Sequence, residues 1–202
     1  MISRGAAIIL GGGRSSRIGR DKGQLELDNR SLFEIVLAKL ESVVEKIILV
    51  TNDPELFDGY QGFQTVTDEI PYQGPLGGIL AGLSASPTQY NLVVAYDMPF
   101  LNIDLVKFLF SQASGVDVVI PCSEKGIEPL FSIYSKNCLP AIRKSMESGK
   151  KRVISFFDQV EVRYIDKEKV KEFDPEYLSF FNINTEEDWD KAKQVLKSLK
   201  DI

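Results

Sequence analysis

No histidine occurs among the 202 residues. That omission removes a histidine-dependent triad, an imidazole general base and most zinc sites. Cysteine is scarce as well: Cys122 and Cys138 lack the spacing of a metal motif and are expected to behave as small buried side chains. No apolar run approaches the ~20 residues that span a bilayer, and Met1-Ile-Ser-Arg-Gly lacks the long apolar core of a signal peptide. A cytoplasmic protein with no membrane role is expected. Basic charge is not in excess either. A net charge of -5 argues against a protein that coats nucleic acid. Chemistry must therefore come from carboxylates, ammonium and guanidinium groups, backbone amides or a bound metal.

What the chain does contain is ordinary globular composition. With 44% hydrophobic and 26% charged residues it is expected to fold as one domain over 1–202, without disulfides, burying roughly 70% of the surface of its unfolded chain. Its most unusual stretch is residues 10–22, LGGGRSSRIGRDK. An apolar run at residues 6–10 reads as a buried strand, and Gly11, Gly12 and Gly13 then remove every β-carbon from the turn that follows. Successive N–H groups of such a turn can point into one concavity and approach phosphate oxygens. Arg14, Arg17, Arg20 and Lys22 place four cations within nine residues. The pattern fits neither the dinucleotide fingerprint, since Gly11 and Gly13 are followed by Ser16 and Gly19 with the charges around it makes a poor first helical turn, nor Walker A, since Gly19 is followed by Arg20, Asp21, Lys22 and Gly23.

Further along, residues 32–44 show helical apolar spacing and residues 46–51, KIILVT, read as a second buried strand ending at Asn52. Residues 63–67 predict a strand ending at Asp68, and residues 91–95, NLVVA, one that runs into Tyr96-Asp97-Met98-Pro99. Helices are expected over 103–110, 139–146 and 186–199, the last capped by Thr185, and in the later half of GPLGGILAGL at 74–83. Residues 116–121 and 160–165 read as strands, and 130–134 as a strand that is antiparallel or at an edge. Trp189 is expected to pack against the sheet, and the charged run 166–172 to be a solvated helix face. Strands alternating with helices imply a three-layer α/β/α sandwich with a Rossmann-like, mostly parallel sheet.

In such a sheet, parallel strands deliver their carboxyl ends to one edge, where ligands bind. The glycine turn, Asn52, Asp68 and Asp97 would converge there, although Asn and Asp also begin turns for purely local reasons. Asp97 carries a charge that would repel a phosphate unless a cation intervened. Mg²⁺ held by one or two carboxylates and phosphate oxygens is the usual solution.

The stretch L-x-G-G-x-S-x-R-x-G-x-D-K, filled by Leu10, Gly12, Gly13, Ser15, Arg17, Gly19, Asp21 and Lys22, resembles the signature of nucleotidyltransferases. GPLGG at 74–78, YDMPFL at 96–101, EPLFSIY at 128–134 and FFNINTEEDW at 180–189 follow in the order seen in the molybdenum cofactor guanylyltransferase (MobA-like) family. The likeness covers nearly the whole chain. It implies the nucleotide-diphospho-sugar transferase type of fold and transfer of GMP from GTP to the phosphate of molybdenum-molybdopterin, with loss of pyrophosphate. By this resemblance Leu10, Gly11, Gly12, Gly13 and Lys22 hold the triphosphate, with Arg17 and Lys22 as catalytic cations. Asn52 and Asp68 line the nucleoside site, Asp97 binds Mg²⁺, and Asn182 and Asn184 face the acceptor. Gly74, Pro75, Leu76 and Gly77 would shape the base site, although the glycines there also suit close helix packing. The family allows partners among molybdoenzyme chaperones and upstream cofactor-synthesis proteins. Alternatives are cytidylyl transfer to the same pterin, guanylyl transfer to another small phosphate, and a non-catalytic nucleotide-binding or docking protein. Gly11 stands where the family usually has alanine, Ile18 where it has methionine, and Tyr96 where it commonly has cysteine.

Overall fold

A computed structural model describes residues 2–12, 26–67 and 74–200. Strand β1 (Ile2–Leu10) carries Ala6, Ala7, Ile8, Ile9 and Leu10 at no more than 7% exposure, so both of its faces are covered. That is the pattern of a parallel strand between two helical layers. A short hairpin, β2 (Glu26–Leu27) and β3 (Arg30–Ser31), leads into α1 (Leu32–Glu41), β4 (Val44–Val50) and β5 (Gln64–Val66). Next come α2 (Pro75–Ala85), β6 (Tyr90–Ala95), α3 (Ile103–Ser111), β7 (Val118–Ser123), β8 (Gly126–Ile127) and β9 (Phe131–Ser135). The chain continues through α4 (Leu139–Glu147), β10 (Val162–Ile165), α5 (Lys167–Lys171) and α6 (Glu186–Lys200). Among the described residues no helix is long and apolar enough to cross a membrane.

The main sheet has the order β10-β7-β9-β6-β1-β4-β5, with β8 paired to β7. Strand β1 lies parallel to both β4 and β6, β5 to β4, and β10 to β7. Only β9 on this path runs the other way, antiparallel to β6 and β7. The chain builds outward from β1 through β4 to β5, then returns to place β6 on the other side of β1. The strand order reverses there, which makes the carboxyl ends of β1, β4 and β6 the crevice of an open α/β sheet.

Strand residues alternate between two cores, as the twofold side-chain period requires. Ala7, Ile9, Leu49, Leu92 and Val94 share one with Val36 and Leu40 of α1 and Leu105 and Leu109 of α3. Ile8, Leu10, Ile48, Val50 and Val93 share the other with Leu76, Ile79 and Leu83 of α2 and Ile142 of α4. Helix α2 lies so close to β1 that a β-carbon at Gly82 would sit 2.5 Å from Ile8 Cγ2, and one at Gly78 3.0 Å from Leu10 Cδ2. A third cluster joins Leu27, Leu32, Phe100, Ile183 and Ala192. Trp189 packs on this cluster and not on the main sheet, because α6 lies over the hairpin and the loop after β6. Cys138 is buried and Cys122 half-buried; burial pushes the Cys138 thiol up to about 12, with Asp117 adding and a Ser135 hydrogen bond opposing.

Two helix boundaries differ from the sequence reading. Helix α1 stops at Glu41, and Val44, expected to close it, opens β4 instead. Helix α2 begins at Pro75 rather than midway through the glycine-rich segment, because proline's fixed φ suits a first helical turn and tight packing on β1 offsets the low helix propensity of its glycines. Strand β9 is antiparallel as allowed, but it lies inside the sheet between β6 and β7.

Candidate active site

Gly13, Ser15, Arg14, Arg17, Gly19, Arg20, Asp21, Lys22 and Asp68, all singled out by sequence, lie outside the described residues. The remaining predicted site residues gather at the carboxyl edge around β1. The glycine turn is clamped on both sides: Gly11 N–H donates to Val50 O at 2.8 Å and Tyr96 N–H donates to Leu10 O at 3.3 Å. Thr51, itself buried, donates from Oγ1 to Gly11 O at 3.4 Å. The amide of Gly11 is thus committed to the sheet. Gly12 is exposed, and a β-carbon there would meet nothing within 4 Å, so it is the first glycine of the turn that faces open space.

Gly11 has its own packing reason. A β-carbon would lie 2.8 Å from Leu49 Cδ1 and 3.0 Å from Phe57 Cζ. Phe57 is buried beside Phe33, ring centroids 4.7 Å apart and nearly perpendicular. The space a larger side chain would occupy is taken by an aromatic ring from the turn after β4. Asn52 lies two residues beyond the end of β4 and is half-buried, while the next amide, Asp53 N–H, bonds back to Thr51 Oγ1 at 3.1 Å. Asn52 therefore sits at the end of a fixed strand, beside the glycine turn.

At the start of α2, Gly74 has φ 71°, a conformation that favours glycine. Pro75 has no N–H, and the Leu76 side chain is fully buried in the core. What this segment can offer a ligand is backbone: the first-turn amides of Leu76 and Gly77, which a helix leaves without intrahelical acceptors. Gly78 and Gly82 are accounted for by their approach to β1.

Asp97 occupies the turn after β6. Its neighbours anchor it: Met98, Phe100 and Leu101 are each no more than 7% exposed, and Lys39 Nζ donates to Leu101 O at 3.0 Å. Burial holds the Lys39 ammonium below its ordinary pKa, opposed by Asp174. Ile183 N–H donates to Asp97 O at 3.0 Å, which lays the segment 181–184 along the turn. Asp97 Oδ1 is shielded from solvent, and so is Asn182 Oδ1, which accepts no hydrogen bond among the described residues. The two Asn of the NIN motif then separate. Asn184 is exposed, and its amide joins the α6 cap by donating to Asp188 Oδ2 at 3.1 Å; Thr185 Oγ1 and Asp188 bond reciprocally, at 2.9 and 3.1 Å. Thr185 is the N-cap that the sequence predicts, and Asn182 contributes no cap bond.

Sequence reasoning missed the scaffold that holds 181–184 in place. Asp174, 5% exposed, accepts from Leu178 N at 2.9 Å and Ser179 N at 2.7 Å. Ser179 Oγ accepts from Asn102 N at 2.9 Å, and Asn102 Nδ2 donates to Phe173 O at 2.7 Å. The Phe180 ring meets Phe131 edge-on at 5.2 Å. An aspartate four residues before an apolar turn was the available signal. The long-range bonds from Asn102 to Ser179 Oγ and Phe173 O were not visible in it.

Among the described residues no three His, Cys, Asp or Glu side chains are grouped to hold a metal. The Asp97 carboxylate and the amide oxygen Asn182 Oδ1 lie along this turn. Both are hard oxygen donors, and they suit a Mg²⁺ ion whose other ligands are phosphate oxygens and water.

Comparison with known proteins agrees with this geometry. The model of the MobA-like NTP transferase domain matches residues 7–162. The chain is 36% identical to a probable molybdenum cofactor guanylyltransferase of Peptoclostridium acidaminophilum, over 97% of this chain and 91% of that protein. It is 40% identical to one of Methanosarcina mazei, over 91% and 87%. The crystal structure of molybdopterin-guanine dinucleotide biosynthesis protein A from Archaeoglobus fulgidus superimposes with a TM-score of 0.83 at 28% identity, covering 96% of this chain and 99% of that one. With its sheet order, its glycine turn and its carboxylate at the switch point, the chain belongs to the family of MobA-like NTP transferase domains.

Proposed function

We propose that this protein transfers GMP from GTP to the phosphate of molybdenum-molybdopterin, releasing pyrophosphate and forming a guanine dinucleotide. The observation that carries the reading is the meeting of Gly12, Asp97 and the buried Asn182 Oδ1 at one sheet edge, in a chain that resembles guanylyltransferases over nearly its full length.

In this reading an acceptor phosphate oxygen attacks the α-phosphorus of GTP, a new P–O bond forms, and the bond to the β-phosphate oxygen breaks. A terminal phosphate is largely ionised near neutral pH, so no protein base is needed and the lack of histidine costs nothing. Catalysis is then positioning and charge neutralisation. Lys22 neutralises the α-phosphate as charge accumulates, while Arg17 and the amides of the glycine turn from Gly12 onward hold the departing pyrophosphate. Asn52 and Asp68 orient the nucleoside, and the backbone amides of Leu76 and Gly77 face the base. Asp97 and Asn182 are the residues that would hold Mg²⁺. When bound, this ion adds positive charge beside the phosphates.

Mass spectrometry of the product formed from GTP, Mg²⁺ and purified molybdenum cofactor tests the reading. The expected result is the guanine dinucleotide with stoichiometric pyrophosphate. A kcat/KM for CTP equal to or above that for GTP, or no pyrophosphate release with either, overturns it.

A further inference from the structure

Glu128 is a half-buried carboxyl group that the mechanism above leaves without a role. Strands β6 and β9 pair as far as Val94 and Phe131. Asp97 lies three residues beyond Val94, and Glu128 three residues before Phe131. Because β9 runs antiparallel to β6, both acids overhang the same edge from adjacent strands. The Glu128 backbone is fixed at both ends: its N–H donates to Pro121 O at 3.0 Å, and its carbonyl accepts from Phe131 N at 3.0 Å and from Ser132 Oγ at 2.7 Å. Its side chain is fixed as well. Ser123 Oγ, 8% exposed, donates to Glu128 Oε1 at 2.6 Å, and the Lys125 amide donates to Ser123 Oγ at 3.0 Å.

No ion pair offsets this half-buried acid among the described residues. Neighbouring Glu124 takes the ammonium groups of Lys167 at 2.9 Å and Lys171 at 3.0 Å. Burial pushes the Glu128 carboxyl above its ordinary range, opposed by Ser123 and Lys125. A carboxyl group desolvated without a cation lowers stability, yet this one is oriented by a buried hydroxyl and retains acceptor lone pairs. Such a group matches a ligand edge that presents two adjacent N–H donors. Guanine and a pterin ring both have that edge. Position decides between them. Asn52 and the start of α2 lie on the β4–β5 side of β1, whereas Glu128 lies beyond β6, where Phe131 packs on Phe180 and the chain continues to Asn182.

We propose that Glu128 determines acceptor specificity, its carboxylate accepting hydrogen bonds from the ring amide and amino group of the pterin. This rests on the guanylyl-transfer reading. The test compares the wild-type protein with Glu128→Gln and Ser123→Ala in steady-state kinetics at saturating GTP, with melting temperature measured for each. Loss of a charge-assisted hydrogen bond predicts a rise of roughly 10- to 100-fold in acceptor KM for Glu128→Gln. Ser123→Ala should give a smaller rise, with kcat and the KM for GTP unchanged in both. A wild-type acceptor KM, or a rise confined to the KM for GTP, overturns the proposal; so does a lowered melting temperature with unchanged acceptor KM, which would make Glu128 a hairpin support. Fluorescence titration of the same proteins with a pterin monophosphate needs no turnover. Weaker binding to Glu128→Gln than to wild type supports the proposal even if the transfer reading fails, and equal binding overturns it.

Discussion

At Gly11 the chain departs from the alanine usual among the proteins it resembles, and the neighbours explain the departure. Leu49 and Phe57 fill the space that a β-carbon would need. Gly11→Ala is expected to destabilise the protein by about 1–3 kcal/mol through overpacking. In a Phe57→Leu background the same substitution should cost less, and a double-mutant cycle in urea measures the coupling. Asp97 makes a different kind of prediction. Asp97→Asn keeps the size of the side chain and the carbonyl that accepts from Ile183, so the fold should persist with an unchanged melting temperature. Mg²⁺-dependent turnover should fall at least ~100-fold, because an amide lacks the charge a hard cation requires. Near-wild-type turnover with normal Mg²⁺ dependence would remove Asp97 from the metal site.

Elements outside the sheet keep the segment 181–184 in place. Asp174 holds the turn that leads into 181–184 by accepting two amide hydrogen bonds. Asp174→Asn would direct an amide N–H₂ or a single oxygen at two donors, at a cost of about 1–3 kcal/mol. Thermal melting should show the loss, and half-saturation of turnover should need more Mg²⁺, since Asn182 lies in the segment this turn leads into, while Asn52 and α2 are held by other contacts. Helix α6 gives a pH prediction. Burial alone would raise the Asp188 carboxyl, but hydrogen bonds from Thr185 Oγ1 and the Asn184 and Thr185 amides, with Lys191 nearby, bring it below its ordinary 3.8. A depressed folded-state pKa means that the carboxylate stabilises the fold above the unfolded value and that this contribution fades as pH falls through the folded one. Acid unfolding curves below pH 4 should therefore shift in Asp188→Asn, which has no such contribution to lose. Coincident wild-type and variant curves would show that the cap does not contribute.

At the scale of the whole molecule, binding to the native state alone raises its stability by mass action. GTP with Mg²⁺ at about one hundred times its dissociation constant should add ~2.7 kcal/mol, or roughly 5–10 °C in melting temperature for a chain of this length. CTP at the same concentration should add less, and an equal shift would contradict a site shaped for guanine. Much of this architecture is legible in the order of the residues alone. The apolar runs at residues 6–10, 47–50 and 92–94 must be buried on both faces, and the Gly, Asn and Asp that follow them mark a common edge, so strand periodicity and turn chemistry determined the layers and brought Gly12, Asn52 and Asp97 to that edge. Local pattern shows which side of an element is buried but not what covers it. The tertiary structure alone decided that β9 enters the sheet beside β6 and brings Glu128 to the edge that carries Asp97. It also decided that Ile183 bonds to Asp97 O, that half-buried Asn182 rather than exposed Asn184 keeps its Oδ1 shielded from solvent there, and that Phe57 excludes a side chain at Gly11. Each of these joins residues far apart in the chain, through hydrogen bonds and packing to which no local sequence preference contributes.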